Sequence, residues 1–316
     1  MFSNLFKTSR IKFFRCTLIA SFTCLSAIAY GKLATPQTNS SSKIVTTFFP
    51  VHLFTQAVVG DTAEVDILIS PGAEVHDYQA TPGDARLLAQ ADILVENGLG
   101  IEEFLSRLVA NAGNSQLQQI NASKGIEAIE EEHDEHGHHH HGHGHHHEEG
   151  NPHVWLDPVL AQQQVANIRD GLIAIDPNNA DSYRTNANAY IQQLQQLDRE
   201  FKQKLAPVQG CNFITFHDAF PYLALRYGLK QEAIVEIPED SITPQDIRRV
   251  QRLARLYQVK ALFTEPGVED KRIEQISSDL NIPLEEIDPL ESGETNPQYY
   301  FQAMRRNLEA LLRACQ

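Results

Sequence analysis

Ten of the fourteen histidines, His133, His136, His138, His139, His140, His141, His143, His145, His146 and His147, stand in one run between Glu130 and Gly150. The run reads EEEHDEHGHHHHGHGHHHEEG and has no apolar side chain, so no packed core can use it. Neutral imidazole is the commonest protein ligand for zinc, copper and nickel, and neighbouring carboxylates attract the cation and orient the rings. The composition therefore points to a transition metal, with a merely solvated acidic segment as the alternative. Its internal position and irregular mixture with Glu, Asp and Gly argue against an engineered tag.

The four remaining histidines are His52, His76, His153 and His217. His76 lies in Pro71-Gly-Ala-Glu-Val-His-Asp-Tyr, just beyond the apolar stretch Val65-Asp-Ile-Leu-Ile-Ser. His153 lies in Asn151-Pro-His-Val-Trp-Leu-Asp-Pro, directly after the His-rich run. His217 follows Phe213-Ile-Thr-Phe. Their separations of 77 and 64 residues exclude a local finger or single-helix motif. Any one of them alone is more often a structural histidine than a ligand. Placed together at the ends of strands and beside a His-rich run, however, they can converge on one metal site, because open α/β sheets bind ligands outside the carboxyl ends of their strands.

The elements that must position them alternate strand and helix. Lys43-Ile-Val-Thr-Thr-Phe-Phe is predicted as a strand ended by Pro50, followed by a helix over 51–59, a strand over 63–70, a helix over 82–90, a strand over 92–98 and a helix over 101–111. A short strand near Gln119 leads into the His-rich run. A helix over 158–173 precedes a break at Asp176-Pro177. From Asp181 to Leu205 the apolar residues Tyr183, Ala187, Tyr190, Ile191, Leu194, Leu197 and Phe201 recur every three or four positions, predicting one long helix. Strands at 211–216, 233–237, 259–266 and 284–289 then alternate with helices over 243–257, 271–280 and 297–314. The fold class is α/β: two (β/α) lobes with mainly parallel sheets, joined by one long backbone helix. The expected divisions are a leader 30–42, an N-terminal lobe 43–178 that includes the His-rich loop 130–150, a linking helix 179–206 and a C-terminal lobe 207–316.

Residues 1–29 read as a cleavable secretory signal peptide. Lys7, Arg10, Lys12 and Arg15 precede the apolar stretch Thr17–Ala29, which is too short to span a bilayer and closes on Ala27-Ile28-Ala29. Removing this segment takes away four cations and no acid, moving the formal charge from −15 to −19. That argues against nucleic acid and anionic membrane surfaces as partners and favours cations. Of the cysteines, Cys211 and Cys315 remain. In an exported compartment they can form a disulfide closing a long loop, or else stay as two buried thiols.

With these motifs on the page, the chain resembles the zinc-binding solute-binding proteins of bacterial ABC importers, whose relatives bind manganese. The resemblance rests on Phe49-Pro50, Gly60-Asp61, Pro71-Gly-Ala-Glu-Val-His-Asp-Tyr-Gln-Ala-Thr-Pro, Asn151-Pro-His-Val-Trp-Leu-Asp-Pro, Phe216-His-Asp-Ala-Phe-Pro-Tyr, Phe263-Thr-Glu-Pro and Ile287-Asp-Pro-Leu. It implies metal bound between the lobes by His76, His153 and His217, with Asp288 at the fourth position. A water, Glu74 or Glu265 are the alternatives for that place. His52 has no counterpart in the ligand set and reads as structural. Asp77, Asp157 and Asp218, each near a ligand histidine, read as supporting or capping residues. Three imidazoles suit tetrahedral zinc, whereas manganese prefers oxygen-rich octahedral surroundings.

The resemblance implies a monomer that captures Zn2+ in the periplasm and delivers it to an inner-membrane permease driven by a cytoplasmic ATPase, without turnover. Zinc affinity is expected to fall below about pH 6.5, where histidine takes up a proton. Two other readings stay open. One is a periplasmic zinc buffer or metallochaperone working mainly through the His-rich loop. The other is a zinc hydrolase, although neither a His-Glu-x-x-His helix nor a Gly-x-Ser-x-Gly elbow is present.

Overall fold

The computed structural model describes residues 42–316 apart from 74, 131–149, 239–240 and 269. The expected signal peptide, most of the expected leader, Glu74 and the ten histidines of the run thus lie outside the described residues. The N-terminal lobe runs β1 (Ile44–Thr46), α1 (Phe49–Val59), β2 (Val65–Ile67), α2 (Pro82–Ala89), β3 (Ile93–Glu96), α3 (Leu105–Ala112) and β4 (Gln118–Asn121). Its strands pair in parallel in the order β2-β1-β3-β4, with Ile44 opposite both Val65 and Ile93. The central strands are unbroken apolar runs because both faces are covered: Ile44, Val45, Ile93, Leu94 and Val95 are all fully buried. Pro50 does not end the first strand by interrupting it. It sits in the first turn of α1, where its missing N–H has no helical partner to lose.

The chain then crosses over through α4 (Pro158–Ile175) and α5 (Ala180–Leu205). The 26 residues of α5 make a rod roughly 39 Å long. Its buried stripe, Tyr183, Ala187, Tyr190, Leu194, Leu197, Phe201 and Leu205, follows the spacing read in the sequence. The helix packs against α1 and α4 of the first lobe.

The second lobe repeats the first: β5 (Asn212–His217), α6 (Pro221–Tyr227), β6 (Lys230–Val235), α7 (Pro244–Leu256), β7 (Ala261–Thr264), α8 (Lys271–Leu280), β8 (Leu284–Glu286) and α9 (Tyr299–Cys315). Its parallel order, β6-β5-β7-β8, is that of the first sheet. The short helix α6, absent from the sequence reading, begins at Pro221 and stops at Gly228, whose φ of +71° supplies a left-handed C-cap.

Alternation along β5 and β7 divides the second lobe's apolar residues. Phe213 and Phe263 face α5 and α9, in a core continuous with that of the first lobe. Ile214 and Leu262 face α7 and α8, in a separate cluster with Val250 and Ile273. Cys211, just before β5, is bonded to Cys315 at the end of α9, with Cα atoms 5.8 Å apart, so the last helix is tied to the second sheet. Among the described residues, no helix is long and apolar enough to cross a membrane.

Candidate metal site

In each sheet the chain reverses direction next to its first strand, so crevices open at the carboxyl ends of β1 and β3 and of β5 and β7. The two crevices supply one site. His76 comes from the loop after β2, His153 from the segment between β4 and α4, His217 from the last position of β5, and Glu291 from the loop after β8. One donor atom from each lies within 4.8 Å of all the others.

The three imidazoles are 0–2 % exposed and the Glu291 carboxylate 18 %. His217 Nε2 and His153 Nε2 are 3.3 Å apart. Glu291 Oε1 stands 3.5 Å from His76 Nε2, 3.7 Å from His217 Nε2 and 3.8 Å from His153 Nε2. A tetrahedron with bonds of about 2.0–2.1 Å has edges of about 3.3–3.4 Å, so these separations suit a zinc ion with little contraction.

Each histidine is held by what lies behind it. Glu265, directly after β7 and 4 % exposed, takes the His217 main-chain N–H on Oε1 at 3.0 Å and lies 2.6 Å from Nδ1 through Oε2. A carboxylate there makes Nδ1 the protonated nitrogen and leaves Nε2 for a metal. Burial opposes charge on this ring, but Glu265, with Glu291 and Asp218, outweighs it and raises the pKa to about 9. Burial also opposes the charge of Glu291, yet His76 and His217 hold its carboxyl below the usual range.

His153 is anchored by its own block. Asn151 Oδ1 accepts from the His153 main-chain N–H at 3.1 Å and is 3.0 Å from Nδ1. Trp155 Nε1 donates to Pro289 O at 2.8 Å and Tyr300 donates its hydroxyl to Trp155 O at 2.7 Å, binding this segment to the loop that carries Glu291 and to α9. Asp157 caps α4 through Val159 N and pairs with Arg226 of α6 at 2.7 Å.

The expectation for the fourth position changes. Asp288 is not in the cluster and is occupied elsewhere: Oδ1 accepts from Leu290 N at 2.8 Å, Oδ2 from the Tyr299 hydroxyl at 3.2 Å, and Arg306 stands 3.5 Å away. Its main-chain N–H and C=O are both held by Asn307. Asp288 thus builds the turn, and Leu290, at φ +63°, swings Glu291 inward. Two acids three residues apart in Asp288-Pro-Leu-Glu291 were the available signal. Glu265 supports a ligand instead of acting as one in this arrangement. His52 lies outside the site, its Nδ1 3.1 Å from Thr46 Oγ1, and burial lowers its pKa to about 4. Asp77 faces solvent beside Gln79, whereas Asp218 accepts from Asn151.

Comparison with known proteins agrees with this architecture. The family described as "Zinc-uptake complex component A periplasmic" (ZnuA) matches residues 44–314. The chain is 36 % identical over 273 residues to the high-affinity zinc uptake system protein ZnuA of Bacillus subtilis (strain 168), covering 85 % of this chain and 86 % of that protein. A mutant structure of the laminin-binding adhesin Lmb from Streptococcus agalactiae superposes with a TM-score of 0.77 at 30 % identity, over 87 % of this chain and all of that one. Zn(II)-bound AdcA from Streptococcus pneumoniae gives 0.73 at 31 % identity over 87 % of this chain, which spans 58 % of AdcA's length. The chain belongs to the ZnuA family, the periplasmic component of zinc-uptake complexes.

Proposed function

We propose that this protein captures Zn2+ between its lobes, on His76, His153, His217 and Glu291, and delivers it to an ABC-type permease in the inner membrane driven by a cytoplasmic ATPase. The observation that carries the reading is the convergence of these four donors, two from each lobe, within 4.8 Å of one another. Three nitrogens and one oxygen favour zinc over manganese. Four protein donors in a nearly solvent-free cluster leave no obvious open position for a substrate, so the protein is a binding protein and not a hydrolase.

The chain is exported by cleavage after Ala29 and works as a periplasmic monomer. Its functional divisions are a first lobe over 43–178, a bridge over 179–206 and a second lobe over 207–316. Because α5 and one continuous core bridge the lobes, movement between them is modest, and release depends on the permease distorting one lobe. The His-rich run, His133 to His147, collects zinc weakly and feeds the cleft.

The test is a zinc competition titration of the mature protein beside a variant with His76, His153 and His217 all changed to Ala and the run intact. Loss of the tight site with weak binding retained supports cleft capture. Tight binding that survives the triple change would make the run the receptor and the protein a buffer or metallochaperone.

A further inference from the structure

Asn151 is 2 % exposed and every polar atom it owns is engaged. Its main-chain N–H donates to Ile129 O at 3.0 Å. Its carbonyl accepts from the Tyr222 hydroxyl at 2.5 Å, and the Tyr222 hydroxyl oxygen in turn accepts the Ile129 N–H at 2.9 Å. The side chain divides between the lobes. Oδ1 faces the His153 main-chain N–H and Nδ1, while Nδ2 donates to Asp218 O at 2.7 Å and lies 3.2 Å from Asp218 Oδ2.

These partners settle the orientation of the carboxamide. The His153 main-chain N–H can only donate, so the atom facing it is the oxygen. The Asp218 carbonyl can only accept, so the atom facing it is the NH2. With an oxygen beside it, His153 Nδ1 carries the hydrogen, and the Nε2 lone pair points to His217 Nε2 and Glu291. Asp218 directly follows His217. One carboxamide therefore sets the tautomer of a histidine in the first lobe while gripping the backbone beside a histidine in the second.

We infer that Asn151 is a positioning residue for zinc capture, making the metal-accepting tautomer of His153 conditional on contact between the lobes. The inference rests on the ligand set proposed above. When the lobes part, Nδ2 loses Asp218, the amide plane is free to turn, and the hydrogen on His153 is no longer confined to Nδ1. Retention of the ion and contact between the lobes then rise and fall together, which suits a carrier that must hold zinc until a permease distorts one lobe at this contact.

Two substitutions separate the grips. Asn151→Ala removes both. Asn151→Asp keeps an acceptor for His153 but sets a carboxylate against the Asp218 carbonyl and carboxylate. The experiment is nitrogen-15 NMR of histidine side chains in the metal-free full-length mature protein, with His153 signals assigned by their absence from His153→Ala, alongside zinc release into a chelator. Wild type and Asn151→Asp should show the Nδ1–H form of His153, and Asn151→Ala a mixture of tautomers. Zinc release should quicken tenfold or more in Asn151→Ala and also quicken in Asn151→Asp, since both lose the hold on Asp218. A merely structural role would move both variants alike in both measurements. An Asn151→Ala protein with the wild-type tautomer and release rate overturns the inference. If instead His153→Ala keeps tight zinc, the proposed ligand set is what fails, and the tautomer comparison still decides the role of Asn151.

Discussion

Replacing Glu265 with Gln exchanges one carboxylate oxygen for an NH2 group and tests how the second lobe prepares its ligand. The carboxylate serves two donors at once, the His217 main-chain N–H at 3.0 Å and Nδ1 at 2.6 Å, in a place closed to water. A carboxamide has only one acceptor oxygen. If that oxygen stays with the main-chain N–H, the NH2 faces Nδ1, which must become an acceptor, and the ring hydrogen moves to Nε2 where the metal should bind. If the amide turns over, Nδ1 keeps its hydrogen but two N–H groups collide at the main chain. Either arrangement also removes the negative charge that makes His217 a stronger base. Loss of such a supporting carboxylate costs about 10–100-fold in metal affinity, or roughly 1.4–2.8 kcal/mol. Zinc affinity measured by competition with a chelating dye should fall by that factor, with the unfolding transition retained. An affinity within twofold of wild type would refute the view that Glu265 sets the His217 tautomer.

Glu291→Ala should lower zinc affinity by at least tenfold, whereas Asp288→Asn, which can keep the bond to Leu290 N, should stay within a few-fold; the reverse order would restore Asp288 as the fourth ligand. Because Asn151 N already bonds Ile129 O, removing residues 131–149 leaves ends that can be joined without moving the lobes, so such a deletion should retain one tight zinc per molecule in calorimetry and lose only weak sites. Burial raises the pKa of Glu102 from an ordinary 4.5 to about 7 despite its bonds from Thr47, Asn97 and Gly98. The folded state thus binds the extra proton between those values: the contribution is full below about pH 4.5 and is lost as pH rises through about 7, a swing of about 3 kcal/mol. His52, lowered to about 4, acts oppositely, contributing fully above pH 6.5 and losing that contribution as pH falls towards 4. The stability of Glu102→Gln relative to wild type, measured by denaturant unfolding, should therefore rise as pH goes from 4.5 to 7, and a flat difference would contradict the buried carboxyl's role. Changing both Cys211 and Cys315 to Ser should cost about 2–5 kcal/mol in the same assay, because the bond closes a loop of 104 residues in the unfolded chain.

Much of the scaffold is legible in the sequence because its signals are local. Apolar runs bounded by turns predict the central strands, and the three-to-four spacing from Tyr183 to Phe201 predicts α5 to within a residue at its start. The seven-residue α6 escapes because Pro221 to Tyr227 holds too few turns for a period to show, and its caps read equally well as loop punctuation. The three histidines can be picked out by their places at strand ends, but Glu291 cannot be separated from Asp288 by spacing. That choice is made by Asn307, Tyr299 and the left-handed Leu290, which act only once α9 lies against the turn.

The supporting shell is harder still to read, for a physical reason. Glu265 meets His217 across 48 residues and Asn151 meets Asp218 across 67, so neither contact has a local sequence signature. The two supports also differ in kind. Glu265 lies in the same lobe as its histidine and holds a charge, so His217 is prepared whether or not the lobes touch. Asn151 is neutral and spans both lobes, so His153 is prepared only when they meet. A site with one ligand organised in advance and another organised by closure can bind zinc in two stages, first on the second lobe and then between the lobes. Distorting the contact between Asn151 and Asp218 would release the ion without unfolding either sheet.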